Sequence, residues 1–409
     1  MKKYFLFTLL FFFTSIILSQ IEIPEGKYNY NDIIEWPNTG ALIINDEPNF
    51  KARDYNLVLV NTKGEVQWQE TIYPKKAKPV KIVSGQSNYI YFFDQLEIEN
   101  ARMEYHQINK SGSVKSTNIN FLSDLRKFGF TTPDEFEVVN ISNTPKALVF
   151  QLRFENKSEK QYENILFFLT HHNHRTYPVK LEPTSFEHIK NELESTPYIA
   201  GNDDELIYFA KYQKLGARHT FSITGFSAKG DEQKSTTIAI PKLNSLPSST
   251  KSFIFEAAHY QEKKDYYPSN FGVVLFSSND FYYVENDSED LNLKIWKSDA
   301  DGKLKTVKST TSATEEKRRI NSEITLFKNV DGNWIIRSKI EDDEKNLILS
   351  EDIVALPVLN IADKRLRDNS SLFKYNQETA KFVLPTSEGK YFFDYNQLGN
   401  KENLQFTKD

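Results

Sequence analysis

The 409-residue chain contains no cysteine. That excludes a disulfide framework, thiolate metal ligands and a cysteine nucleophile, so apolar burial and strand ladders must hold the fold. It also excludes the lipid-bearing cysteine of a bacterial lipoprotein. Excess positive charge is missing too: the net charge is −5. A nucleic-acid binder is expected to carry a basic stripe, so no nucleic-acid partner is expected. After the N-terminal segment no apolar run reaches the roughly eighteen residues of a membrane helix, so no integral membrane segment is expected in the mature chain. No GxSxG, HExxH, P-loop or GxGxxG motif stands in a suitable setting, and no cofactor is expected. Glycosidase-type carboxylate pairs have no fixed spacing, so their presence is not decided by motif.

The first nineteen residues have the order of a signal peptide. Lys2 and Lys3 precede the apolar run Tyr4–Leu18, and Ile17 and Ser19 flank a cleavage site ahead of Gln20. The expected mature protein is exported: periplasmic, associated with the outer surface, or secreted.

What the chain does have is aromatics, 14% of residues, with 31 Phe and 21 Tyr against two Met. Phe, Tyr, Val and Ile suit a pleated, half-buried surface, and that balance favours strands. The stretch Asn88–Ile119 shows the repeating pattern. It reads as a strand (Tyr89–Phe93), a charged loop, a strand (Met103–Ile108), a tight turn ending at Gly112, and a further strand. Second strands of such units begin near 41, 89, 147, 205, 271, 333 and 381. A period of about 50–60 residues holding four short strands points to a β-propeller. The expected fold class is therefore all-β: a single propeller of seven four-stranded blades, with six or eight as the alternatives. The blades span approximately 22–76, 77–120, 134–182, 183–241, 250–310, 320–368 and 369–409. A linker at 121–133 interrupts them, with one helical turn at Ser123–Lys127.

The hairpins Asn61-Thr62-Lys63-Gly64 and Asn109-Lys110-Ser111-Gly112, each followed by an alternating strand, resemble the outer hairpin of degenerate bacterial β-propellers. The GH…WD pair, the kelch double glycine and the sialidase-type Asp box are absent. Gly64, Gly112, Gly230, Gly302 and Gly399 are expected in equivalent left-handed turn positions on one face of a closed ring. In the third repeat the turn Thr170-His171-His172-Asn173 offers Asn173 in that role.

Four groups of residues are candidates for chemistry. His171, His172 and His174 lie close enough in sequence to bind a transition metal. They fall on a hairpin turn with no acid beside them, so a solvated turn and no metal site are expected. Asp299 and Asp301 echo a calcium loop, but Lys297 and Lys308 occupy two ligand positions. Ser277–Asn292 carries Asp280, Glu285, Asp287, Glu289 and Asp290, and Glu341–Asp352 carries Asp342 and Asp343 among its acids. Both runs are expected as loops between second and third strands, making one acidic face opposite a more basic one. Beside them stand Phe281, Tyr282 and Tyr283, either an aromatic face for a sugar or an extra strand packed on its blade. The expected binding residues are thus Asp280, Phe281, Tyr282, Tyr283, Glu285, Asp287, Asp342 and Asp343.

The functional expectation is an exported, non-enzymatic binding or interaction scaffold for an unknown protein or glycan partner, the acidic loops favouring a basic one. The alternatives are a glycan-active enzyme with acids at the channel mouth, and a structural component of an envelope complex.

Overall fold

The computed structural model describes residues 18–20, 29–36, 39–48, 53–61, 66–73, 81–83, 86–97, 102–130, 136–191, 193–240, 254–255, 272–287, 292–299, 302–309, 322–328, 332–340, 343–356, 374–376, 381–386, 389–393 and 404–408. The first strand, β1 (Leu18–Gln20), stands apart from the regular series. Sheet 1 is β2 (Asn29–Trp36), β3 (Gly40–Pro48), β4 (Arg53–Asn61) and β5 (Val66–Ile72). Sheet 2 is β6 (Lys81–Val83), β7 (Tyr89–Glu97), β8 (Arg102–Asn109) and β9 (Val114–Asn120), followed by helix α1 (Leu122–Arg126). Sheet 3 is β10 (Phe136–Asn143), β11 (Ala147–Asn156), β12 (Gln161–Thr170) and β13 (Thr176–Ser185), followed by α2 (Phe186–Lys190). Sheet 4 is β14 (Tyr198–Asn202), β15 (Leu206–Leu215), β16 (Arg218–Ser227) and β17 (Glu232–Ala239).

A two-residue strand, β18 (Ile254–Phe255), comes next. Sheet 5 is β19 (Val273–Ser277), β20 (Asp280–Asp287), β21 (Asn292–Ser298) and β22 (Leu304–Ser309). Sheet 6 is β23 (Ser322–Lys328), β24 (Trp334–Ile340), β25 (Asp343–Ile348) and β26 (Val354–Leu356), with β18 added parallel to β23. Sheet 7 is β27 (Lys374–Asn376), β28 (Lys381–Thr386), β29 (Gly389–Phe393) and β30 (Leu404–Lys408), with β1 added antiparallel to β30.

Within each sheet the four strands follow one another as an antiparallel meander. First strands of successive sheets touch: β6 with β10, β10 with β14, β14 with β19. Sheets that meet along their first strands and splay outwards are propeller blades. The chain is a β-propeller.

Its core is explained by the period of two along a strand. Both faces of a blade are covered by neighbours, so alternate residues serve alternate interfaces. In β7, Ile90 and Phe92 pack with Trp36, Leu42, Leu57 and Leu59 of sheet 1. Tyr91 and Phe93 point the other way, to Leu148, Phe150 and Leu152 of sheet 3. In β15, Ile207 and Phe209 meet Val149 and Phe168 of sheet 3, whereas Tyr208, Ala210 and Tyr212 face sheet 5. Helix α1, placed where the helical turn was expected, drops Leu125 into the sheet 2–sheet 3 interface.

The turns between third and fourth strands explain the repeated glycine. Gly112, Gly230 and Gly302 adopt φ +82°, +79° and +77° in equivalent hairpins, as expected. Each also presses on the outer strand of the preceding sheet. A Cβ would sit 2.8 Å from Trp68 at Gly112, 2.5 Å from Val179 at Gly230 and 2.7 Å from the Thr237 carbonyl at Gly302. Left-handed backbone and lack of room therefore require glycine together. Trp68 Nε1 donates to the Lys110 carbonyl at 2.8 Å across the same junction. Gly64 and Gly399 lie outside the described residues. In sheet 3 the left-handed residue is His174, φ +54°, not Asn173. That turn is one residue longer: His174 N donates to the Thr170 carbonyl, and Asn173 Oδ1 instead accepts from Arg175 N.

Two repeats are organised differently from expectation. In sheet 5, β20 runs through the stretch expected to be a loop, and the expected first strand near Ile254 pairs with sheet 6. The turn into β20 is Ser278-Asn279, both at positive φ (+46°, +64°), a two-residue hairpin with no glycine to announce it. In sheet 6, the third strand is Asp343–Ile348 and the fourth Val354–Leu356, where strands at 353–360 and 364–367 were expected. The charged start of β25 hides its strand character.

Candidate functional site

The acidic runs do not form one face. Asp280 opens β20 at the turn from the first strand, and Asp287 closes it at the connection to the third. The second run crosses sheet 6 in the same way, from Asp343 on β25 to Glu351 and Asp352 in the turn before β26. Each run thus spans the thickness of its blade, which removes the expected acidic face. Asp280 is paired with Lys297 at 2.5 Å, and Glu351 adds its field to the same group, so the Lys297 ammonium is held above its ordinary range. Glu285 lies within β20, partly buried; Asp342 lies outside the described residues.

The aromatic members are packing residues of a strand. Tyr282 and Tyr283 are buried; Tyr282 donates to the Ser350 carbonyl at 3.2 Å, and Tyr283 lies 5.2 Å from Trp296. Phe281 packs on Phe276 and Tyr208 at 4.9 and 5.1 Å. The arrangement offers no open aromatic face for a sugar.

The histidine turn is solvated only in part: His172 and Asn173 are exposed, but His171 is not. His171 is 2% exposed, and its ring bridges two groups: Nδ1 with the Tyr91 hydroxyl, Nε2 with the Thr144 carbonyl at 2.8 Å. His174 Nδ1 meets the Tyr105 hydroxyl at 2.7 Å, and His172 Nδ1 meets Tyr89 at 3.2 Å. Three tyrosines of sheet 2 thus engage three histidines of sheet 3. Burial pulls His171 down to about 4 and pushes the Tyr91 and Tyr105 hydroxyls well above the phenol range. The ladder is a hydrogen-bonded clasp between blades. Among the described residues no cluster of His, Asp and Glu is arranged to hold a metal.

A different cluster draws three non-neighbouring sheets together. Gln86 lies in the turn between β6 and β7, Asn202 ends β14, and Lys328 ends β23. Each sits where a first strand hands over to a second, in sheets 2, 4 and 6. Asn202 Nδ2 donates to Gln86 Oε1 at 2.5 Å, and Lys328 Nζ donates to Asn202 Oδ1 at 3.4 Å. The Gln86 amide also rests against Gly332 (φ +80°), where a Cβ would collide with it. Alternate blades reach one another only around the axis that their first strands surround.

Trp334 forms the floor. It is 3% exposed, its Nε1 donates to the Ala200 carbonyl at 2.6 Å, and its ring lies 5.2 Å from the Lys328 ammonium. That is cation–π distance. Desolvation pulls the Lys328 amine down to about 7. No ion pair reaches Lys328 among the described residues, and Asp203, next to Asn202, is engaged elsewhere. Its carboxylate accepts from Glu205 N, Leu206 N and the Tyr208 hydroxyl at 2.8, 2.7 and 2.6 Å. Gln86, Asn202 and Lys328 form no motif in sequence, and 116 and 126 residues separate the hydrogen-bonded pairs. The one signal they carry is position, at or just after the end of a first strand.

No family model matches the chain, and no curated protein matches it. Among solved structures it is similar to the β-propeller domain of the trilobed protease from Pyrococcus furiosus, with 10% identity, 93% of each chain covered and a TM-score of 0.41. The periplasmic gluconolactonase of Pseudomonas aeruginosa is similar at 10% identity, over 93% of this chain and 96% of that one, with a TM-score of 0.40. An acylaminoacyl peptidase from Pyrococcus horikoshii is similar at 9% identity and a TM-score of 0.43. There 91% of this chain matches 53% of that one. Among the described residues no helix is long and apolar enough to cross a membrane.

Proposed function

We propose that the chain is an exported binding scaffold that holds a small ligand at its axis. The observation that carries this is the meeting of Gln86, Asn202 and Lys328 from sheets 2, 4 and 6 over Trp334. Polar side chains from separate blades converging on an apolar floor are what a pre-formed ligand site consists of. The scaffold is stiff, because each blade interface is packed on alternate strand residues and clasped by hydrogen bonds such as those of the histidine turn. The glycan-enzyme alternative draws less support: Asp280 is neutralised by Lys297, and Tyr282 and Tyr283 are buried. Export rests on the order Lys2-Lys3, apolar run, small residue. Cleavage ahead of Gln20 takes Leu18 and Ser19 from the edge of sheet 7 and leaves it with its own four strands, as in sheets 1 to 5.

The test uses full-length protein produced in a bacterial host that exports it. N-terminal sequencing should begin at or close to Gln20; retention of Met1 would refute cleavage. Native mass spectrometry of the same material should show a small added mass on the wild type that is missing from Asn202→Leu. Equal masses for the two proteins, under conditions that preserve weak complexes, would count against a ligand at the axis.

A further inference from the structure

Within that binding reading, we propose that the axial site takes a carboxylate-bearing small molecule, its carboxylate seated on the Lys328 ammonium beside the Asn202 and Gln86 amides. An ammonium has three N–H donors. Among the described residues the only protein acceptor for Lys328 is Asn202 Oδ1, at a long 3.4 Å. Two donors therefore have no acceptor among the described residues. The residue as a whole is half-buried at the end of β23. No ion pair among the described residues compensates the charge. Asp203 follows Asn202 in sequence, and its two oxygens are committed to Glu205, Leu206 and Tyr208. Asn202 and Trp334, which meet the amine, and Gln86, which Asn202 holds, carry no charge.

A buried cation without a counter-ion is costly, and an anion is the group that restores balance. One ammonium matches one negative charge. A phosphate, with nearly two charges at neutral pH, would call for a second cation or a bidentate guanidinium, and none reaches this cluster among the described residues. A planar carboxylate accepts from an ammonium and a neighbouring amide together. Trp334 is committed edge-on to Ala200 and carries the amine on its face, so it holds Lys328 in place rather than stacking a ligand ring.

The arrangement couples binding to a proton. With the free amine titrating near neutrality, the carboxylate binds the protonated form, and the complex keeps the proton to higher pH. Affinity should hold below neutrality and fall by about tenfold for each pH unit above it. Among the described residues the groups that meet Lys328 are Asn202 from β14 and Trp334 from β24, with Gln86 of the β6–β7 turn behind Asn202, and none of these titrates in this range.

The experiment follows the Trp334 indole N–H signal of the full chain, assigned with Trp334→Phe, while acetate and then propionate are added at about pH 6 and about pH 8.5. The expected result is a saturable shift at the lower pH that is at least tenfold weaker at the higher. Lys328→Met should lose it, and Lys328→Arg should keep binding while losing the pH dependence, because guanidinium stays charged. Melting curves of both variants check that the fold is intact. No shift with either carboxylate, or the same shift in Lys328→Met, would overturn the carboxylate assignment. If a neutral compound then moves the same signal and Asn202→Leu abolishes that, the axial binding site itself stands. If nothing does, both fall.

Discussion

Gly230→Ala is expected to destabilise the protein by about 3 kcal/mol, and Gly129→Ala by only about 1 kcal/mol. Both glycines have left-handed backbone, φ +79° and +87°. A side chain at either position pays that conformational penalty. At Gly129 a Cβ meets nothing within 4 Å, whereas at Gly230 it arrives 2.5 Å from Val179 Cγ2 and close to Phe168. The difference between the two variants is therefore the steric cost of one blade's hairpin leaning on the blade before it. Adding Val179→Ala to Gly230→Ala should recover part of that steric component and none of the conformational one. The measurement is the chemical-denaturation midpoint of each full-length variant. Equal losses at the two glycines would mean that the hairpin does not press on its neighbour.

Acid should weaken the fold through His171. The unfolded chain binds a proton at this residue near pH 6.5, and the folded chain only near 4, because the ring is desolvated. Between those values the unfolded state holds more protons, so stability falls as pH falls. The full effect is about 3 kcal/mol, complete by about pH 4 and absent above about pH 7. His174 and His219, both lowered chiefly by burial, push in the same direction. His171→Gln keeps a neutral hydrogen-bonding side chain and removes the titration. The difference between wild type and this variant, measured by denaturation from pH 7 to pH 4, should therefore narrow as the pH falls. A difference that stays constant over that range would place the His171 ring in water.

Much of the architecture is legible in the residues. The unbroken apolar run Tyr89–Phe93 marks a strand buried on both sides, and the recurrent turn glycine marks the outer hairpin. The spacing of these units announces the propeller. What misled lies in sheets 5 and 6. Ser278-Asn279 makes a two-residue turn without glycine, and Asp280–Asp287 mixes four acids and amides with four apolar residues, so charge masks a strand. The histidines show a related limit. His171 follows the apolar strand β12 and is covered by Tyr91 and Tyr89, 80 and 82 residues earlier in the chain. Local sequence has no record of what folds over a turn. The same holds more strongly for the axis, where Gln86, Asn202 and Lys328 look like ordinary surface residues until three blades bring them together.

The absence of cysteine makes the axial convergence directly measurable. In full-length protein carrying Gln86→Cys and Asn202→Cys, the two new thiols are the only ones present. A short bis-maleimide should join them in the folded state, give a faster band on a denaturing gel, and yield one linked peptide containing positions 86 and 202. The same reagent after unfolding should give little of that product. If each single-cysteine variant reacts with maleimide but the folded double variant yields no 86–202 link, sheets 2 and 4 do not meet at the axis, and the account of the site is wrong.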